Sequence, residues 1–513
     1  MNHEERAASL NQMNTGLLAG LEERRLKWSM NEDTTMRSHL GQFFTPEEVA
    51  VFMANMLEVT PNPVRLLDPG AGIGSLAAAA TARWHNDGGG ALEVSAVESD
   101  PRLHLPLRQT LTQFSQIHDM TSTIIPHDFM GWATNQMGAP AFQQPSSFDV
   151  VIMNPPYRKI HSTSGERRIL ADMGIRVPNL YAAFVALAIA LLKRGGQIVA
   201  ITPRSFTNGP YFREFRNYLL KEMGLHHIHL LDSRDIAFAD SNVLQENVIF
   251  YGIRRDHPES ILISASKSVT EPITARRVPR EEVIRPRDPE SFIHIAPTEE
   301  SAEYARQILQ LPLRLPELNL QVSTGPVVDF RVKEHLRQQP NYKTVPLIYP
   351  THLREGSVVW PQENGRKPNA LVRCDATEGL LMPSGYYVLT KRFSSKEERR
   401  RVTATVVAGS DFSCEAVAFE NHLNVFHHFG QGLSESLARG LALFLNTTTV
   451  DQYFRQFNGH TQVNATDLRN LRYPTLETLI QIGNLARPGM VQVEIDDLAF
   501  EHISTFSSKQ SAE

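Results

Sequence analysis

A chain of 513 residues with 41% apolar content has room for roughly two to four compact units, each with a buried core. Its two cysteines, Cys374 and Cys414, have no paired spacing, which argues against a disulfide framework or a thiol-ligated metal and fits a reducing, intracellular compartment. A net charge of −5 excludes a uniformly basic nucleic-acid binder, so any footprint for a polyanion has to be local.

Residues 1–40 are expected to form an N-terminal helical segment, and Met-Asn-His-Glu-Glu at its start lacks the basic-then-apolar pattern of a secretory signal. Val64 to Leu67 reads as a strand that runs into Asp68-Pro69-Gly70-Ala71-Gly72-Ile73-Gly74-Ser75, ahead of an Ala-rich helix from Leu76 to Trp84. Glycines there let backbone approach a ligand, and the helix N-terminus favours a carboxylate. A dinucleotide fingerprint needs a third glycine where Ser75 stands, so the spacing argues against NAD. Leu92 to Val97 reads as a second strand ending in Glu98, an acid able to take both ribose hydroxyls or simply a solvated carboxylate. Ser122 to Ile125 leads to Asp128-Phe129, an acceptor beside an apolar ring. Asp149 to Met153 is a third apolar run and delivers Asn154-Pro155-Pro156-Tyr157. Strand ends near 68, 98, 128 and 154 predict four groups on the carboxyl edge of one parallel sheet, where open α/β folds bind ligands.

The last of these segments carries the most specific chemistry. An exocyclic amine on a purine is a poor nucleophile because its lone pair is delocalised into the ring. The Asn154 side-chain oxygen and the Pro155 carbonyl can each accept one N–H, which localises that pair toward a methyl donor. Pro155 and Pro156 fix their own φ and extend the residue before them, aiming the carbonyls rigidly. Tyr157 offers a stacking face to a base that has left its duplex. The plainer reading is a Pro-Pro turn after a buried strand, with a structural tyrosine.

Further on, Tyr181 to Leu192 is too short to span a membrane and reads as a buried helix. His226, His227, His229, His427 and His428 could ligate a metal, but neighbouring histidines on a strand face opposite ways and no acidic or Cys partners stand at ligand spacing. No Gly-x-Ser-x-Gly elbow supports a serine hydrolase. A domain boundary is expected between Arg254 and Pro297, with 256–321 a connecting region and regular structure broken at Arg285-Pro286-Arg287-Asp288-Pro289. Arg331 to Arg472 holds 18 Lys+Arg against 13 Asp+Glu, whereas Tyr473 to Glu513 holds 2 against 6. The basic part includes a hairpin, Tyr386 to Phe393 and Val402 to Val407, with Lys391, Arg392, Lys396, Arg399 and Arg400 suited to phosphates or to a merely solvated turn. Leu437 to Asn446 and Val450 to Phe457 have helical spacing.

In this order, Gly41-Gln42-Phe43-Phe44-Thr45-Pro46, Asp68 to Gly74, Glu98, Asp128-Phe129, Asn154 to Tyr157, Asn179 to Phe184 and Lys193 to Val199 resemble the gamma-class, TaqI-like adenine-N6 DNA methyltransferases. The later segments resemble target-recognition regions of Type II modification enzymes, particularly the group related to the PstI methyltransferase. The resemblance implies an α/β fold: a Rossmann-like class I methyltransferase sheet with helices on both faces over 41–255, then a C-terminal α+β target-recognition domain over 322–513. It implies S-adenosylmethionine as cofactor. Thr45, Asp68, Gly70, Gly72 and Gly74 would lie at its methionine part, Glu98 at the ribose, and Asp128, Phe129 and Phe184 at the adenine. The family stacks a second aromatic on the flipped base, for which Phe250 and Tyr251 are the expected positions. Double-stranded DNA is the implied partner, with a separately encoded restriction endonuclease acting on the same site as a second expectation, for a monomer or weak dimer. The alternatives are a methyltransferase of RNA or of a protein glutamine, a modification subunit that needs a separate specificity subunit, and a DNA-binding protein without turnover. Only about 40 residues precede the Gly-Gln-Phe-Phe motif, which favours a self-sufficient enzyme over the subunit.

Overall fold

The computed structural model describes residues 3–31, 44–138, 147–158, 160, 170–171, 179–231, 246–354, 356–394, 398–412, 414–459 and 461–510. The chain divides into two compact units, Met1–Thr298 and Glu299–Glu513.

The first unit is built on one sheet: β1 (Val64–Pro69), β2 (Leu92–Val97), β3 (Met120–Ile125), β4 (Phe148–Met153), β5 (Leu192–Pro203), β6 (Met223–Leu231), β7 (Asn247–Arg254), β8 (Ser260–Ser266) and β9 (Thr274–Pro279). Their order is β3-β2-β1-β4-β5-β7-β6-β8-β9. Strands β1 to β5 are mutually parallel, while β7 runs antiparallel between β5 and β6. This is the Rossmann-like class I methyltransferase arrangement. The order reverses between β1 and β4, so the chain departs in opposite directions from their carboxyl ends and leaves a crevice there.

Alternate side chains of each strand feed two cores. On β4, Val150 and Ile152 face one and Val151 and Met153 the other. The first core is completed by α1 (His3–Asn31), α2 (Glu47–Ala54), α3 (Ser75–Asn86) and α4 (Pro101–Ser115), the second by α5 (Phe129–Gly138), α6 (Leu180–Leu191) and α7 (Arg213–Glu222). Helix α6 buries 11 of its 12 residues, as an apolar run without a polar stripe must. At about 1.5–3 kcal/mol for each large aliphatic side chain removed from water, its burial is a main anchor of the loop that precedes it. Helix α4 starts where Asp100 accepts the Arg102 N–H at 3.0 Å and Pro101 takes the first helical position.

The sheet runs on past the boundary expected at 255. Strand β8 pairs parallel with β6 and β9 antiparallel with β8, so two strands of the range expected as connector extend the sheet, and the first compact unit runs to Thr298. Arg254-Arg255-Asp256-His257-Pro258 reads as an exit because it combines charge with a breaker. It is instead a tight reversal in which Arg255 takes a left-handed φ of 57°.

The second unit opens with α8 (Glu299–Leu309). Besides two short two-stranded ladders, Leu313–Arg314 with Arg472–Tyr473 and Leu353–Arg354 with Ser357–Val358, its strands are β10 (Gln321–Thr324), β11 (Leu336–Arg337), β12 (Thr344–Ile348), β13 (Ala370–Val372), β14 (Met382–Pro383), β15 (Tyr387–Lys391), β16 (Ala404–Val407), β17 (Ala416–Phe419) and β18 (Leu423–His427). They make a four-stranded sheet, β10-β18-β15-β16, and a five-stranded one, β11-β13-β12-β17-β14. Helices α9 (Glu435–Leu445), α10 (Thr448–Phe457) and α11 (Leu476–Leu485) begin at Ser434, Thr447 and Thr475, whose hydroxyls each accept a backbone N–H of the first turn. The unit is α+β. Among the described residues no helix is long and apolar enough to cross a membrane.

Candidate active site

At the end of β1, Gly70, Gly72 and Gly74 have φ of 79°, 57° and 90°, values that a side chain would make costly. Gly72 has a second constraint: a Cβ there would come within 3.3 Å of the Phe44 ring. The N–H groups of Gly70 and Ala71 both bond to the Val97 carbonyl, at 2.9 and 3.0 Å, which folds the loop back over the end of β2. Gly72 then donates to Glu98 Oε2 at 2.8 Å, and the Asp100 N–H donates to Oε1 at 2.8 Å. Glu98 therefore shapes the loop itself, while each of its oxygens keeps lone-pair capacity for a hydroxyl donor. Burial raises its pKa, against the two N–H groups that favour the charged form.

Asp68 is fully buried, and its Oδ2 accepts the Ala77 N–H at 3.2 Å. Burial pushes its carboxyl up to about 7, with the Ala77 N–H opposing and Glu98 reinforcing. Its Oδ1 is buried with no hydrogen-bond partner among the described residues. A buried carboxylate oxygen left without a donor is costly, and a cationic or N–H-bearing ligand would relieve it.

Beyond β3, Asp128 is exposed and its Oδ2 accepts the Gly131 N–H at 2.9 Å at the start of α5. Phe129 and Phe184 are buried and pack 4.8 Å apart, and a Cβ on Gly70 would lie 3.8 Å from Phe184. The two rings thus wall the glycine loop instead of lying open on the surface.

Asn154 follows directly on β4. Its Nδ2 donates to the hydroxyl of Thr45 at 3.1 Å, a side chain 5% exposed just ahead of α2. Pro155 is buried, and Pro156 and Tyr157 are half-buried. The Tyr157 ring packs against both cores and meets Tyr181 edge-on, at 6.4 Å and 80°. Tyr181 stacks on Phe212 at 5.5 Å, and its hydroxyl bonds Ser205 at 2.8 Å. The backing ring of Tyr181 lies within the motif Asn179 to Phe184, but its supporting role has no signature in the sequence. The N–H of Leu180 reaches the Arg158 carbonyl at 2.9 Å, which pins the exit of the tetrapeptide to α6.

Phe250 and Tyr251 do not present an open face. Phe250 is 2% exposed in one core, against Phe206 at 6.1 Å, and Tyr251 is 5% exposed in the other, with its hydroxyl on Gln197. Both sit mid-strand, paired with Ala200 and Val199, below the carboxyl edge that Asn247 shares with Pro203. The segment 232–245, which carries Phe238, lies outside the described residues.

In the second unit the basic hairpin forms from β15 and β16. Lys391 is half-buried, and so is Arg392, which donates to the Asn421 carbonyl at 2.7 Å. Arg399 is exposed, while burial lowers the pKa of Arg400; Lys396 lies outside the described residues. Among the histidines, His227 and His229 share the Ser264 hydroxyl, at 2.7 and 2.8 Å, and His427 bonds Ser323 at 3.0 Å. These are structural ladders.

A glycine-turned sheet edge followed by Asn154-Pro155-Pro156-Tyr157 at the end of β4, on this strand order, defines a class I methyltransferase. The Eco57I restriction-modification methylase family matches residues 102–237. The Type II methyltransferase M.BsuBI of Bacillus subtilis is 44% identical over 492 residues, covering 94% of this chain and 97% of that protein. M.PstI of Providencia stuartii, also a Type II methyltransferase, is 42% identical over 475 residues, covering 91% and 93%. In fold, the chain is similar to the Type IIL restriction-modification enzyme MmeI, with a TM-score of 0.52 at 11% identity, covering 99% of this chain and 76% of that one. The chain belongs to the Type II methyltransferases of restriction-modification systems. Its cofactor is S-adenosylmethionine, and the residues present fit it: a buried acid oxygen awaiting a donor, and a glycine cradle that a Cβ would fill.

Proposed function

We propose that the chain transfers a methyl group to N6 of an adenine flipped out of duplex DNA at a specific site. The observation that carries this reading is Asn154 at the end of β4, its amide tethered by Thr45 and Tyr157 alongside. Nδ2 donates to the Thr45 hydroxyl; Oδ1, an acceptor by its chemistry, would take one N–H of the target amine and the Pro155 carbonyl the second. The two oxygen dipoles localise the nitrogen lone pair and stabilise the positive charge that develops on it, so no strong base is required. Tyr157, held by Tyr181 and Phe212, keeps the base from returning to its stack.

The glycine loop, Asp68 and Glu98 would hold the cofactor, with Asp128, Phe129 and Phe184 around its adenine. Bound there, S-adenosylmethionine supplies an electrophilic methyl on a good sulfur leaving group. Phe129 and Phe184 keep water from that side of the loop. The second unit would read the target sequence, for a chain that acts alone beside a separately encoded nuclease.

The test is incubation with labelled cofactor and duplex DNA, RNA or a glutamine-bearing protein, followed by sequencing of the DNA for N6-methyladenine. DNA labelled at adenine N6 at one recurring sequence is expected; label on RNA or protein alone, or on cytosine, overturns the reading. Asn154→Ala should lower turnover about 100- to 1,000-fold with the fold intact.

A further inference from the structure

We infer that the loop cluster around Asn369 in the second unit is the face that grips duplex DNA, an inference that rests on the function proposed above. Asn369 is fully buried, and its amide makes all four of the hydrogen bonds available to it. Nδ2 donates to the carbonyls of Gln338 and Gln362, at 2.8 and 2.9 Å. Oδ1 accepts from the Gln362 N–H at 2.9 Å and bonds His352 Nε2 at 3.0 Å. The other His352 nitrogen accepts the Tyr349 N–H at 2.9 Å, so His352 is the neutral, Nε2-protonated tautomer. Three loops, 338–343, 349–354 and 360–368, are therefore locked to one amide. A fourth piece is tied in by Lys367, which bridges to Asp329 at 3.1 Å and lies 5.0 Å over the Tyr349 ring. Fully satisfied buried networks rigidify what they hold.

What they hold is exposed. Tyr342 is 92% exposed and Phe330 63%. Single exposed aromatics need no explanation. Here each carries its own cation, Lys343 at 5.5 Å from the Tyr342 ring and Arg331 at 5.7 Å from that of Phe330. Arg366 is exposed on the third of these loops, and Arg337 is exposed at the end of β11, where its Nη1 donates to the Glu334 and Leu336 carbonyls. Residues 329–343 hold four lysines and arginines against two acids, one of which, Asp329, is already tied to Lys367. Rigid loops with paired aromatic and cationic tips suit sugars, bases and phosphates together.

By contrast, cations of the basic hairpin are spent inside the protein. Arg401 is 3% exposed and donates to Asn458, its N–H bonds Asp451 at 2.6 Å, and Arg392 holds Asn421.

The experiment measures binding of the full-length chain, saturated with sinefungin, to a duplex that the wild type methylates, across about 50 to 200 mM salt. Tyr342→Ala should weaken binding about 2- to 10-fold, the worth of one hydrogen bond to the DNA backbone. Arg331→Ala and Lys343→Ala should each flatten the log–log salt slope by about 0.9. Unchanged sinefungin affinity reports that the first unit is intact, and an unchanged far-ultraviolet circular dichroism melt does so for the second. Wild-type affinity and slope in the triple variant overturn the inference while leaving the methyltransferase reading standing, as does loss confined to Lys391→Ala and Arg399→Ala. A wild-type chain that labels no duplex at all sinks both.

Discussion

An asparagine amide has two ends of nearly the same shape, and only one of them can accept a proton donor. The Thr45 contact holds one N–H of the Asn154 amide, at the modest worth of about 0.5–1.5 kcal/mol for a net hydrogen bond. Thr45→Val should therefore cost turnover about 2- to 10-fold with little change in cofactor affinity, and Thr45→Ser should restore it. A parallel loss of cofactor affinity, read by calorimetric titration, would return Thr45 to the cofactor cradle that the family resemblance implies. The same contact was invisible in the sequence because residues 45 and 154 are 109 apart, and nothing local to either announces the other.

Elements show where reading by pattern succeeds and where it stops. The ends of β1, β2 and β4 were legible because each apolar run stops at a polar residue of evident chemistry: Asp68, Glu98 and Asn154. Helix α6 was legible because a run apolar on every side can only be buried. Strand β7 was not. Val248-Ile249-Phe250-Tyr251 is apolar on both faces, so its sequence cannot say that Phe250 and Tyr251 lie in two different cores and below the sheet edge. Phe250→Ala should cost about 3–5 kcal/mol in denaturant stability, with turnover per folded molecule retained. Retained stability with lost turnover would restore Phe250 to the base pocket. The loops around Asn369 carry a pH signature of their own. Burial lowers the His352 pKa from 6.5, against the hydrogen bond to Asn369. A histidine whose folded pKa is depressed contributes stability fully present above 6.5 and lost as pH falls below it. Amide protection factors in 338–354 and 360–368, with the pH dependence of intrinsic exchange divided out, should fall as pH drops below that value, and a flat profile would count against the neutral hub.

On the scale of the whole molecule, two compact units on one chain should give two unfolding events. The cofactor residues belong to the first unit, so S-adenosylmethionine at about 100 times its Kd should stabilise that transition by about 2.7 kcal/mol and leave the other in place. Scanning calorimetry with and without cofactor separates this from a single cooperative block, in which both would move together. The net charge of −5 says little about DNA, because the cations proposed for it are concentrated on a few loops. Those loops hang from one side chain, Asn369, whose four bonds run to two carbonyls, an N–H and a histidine, and to none of the tips themselves. Tip residues can therefore be exchanged without disturbing what fixes their backbone, so the charge and the aromatic surface offered at the rim can be tuned while the platform beneath stays in place.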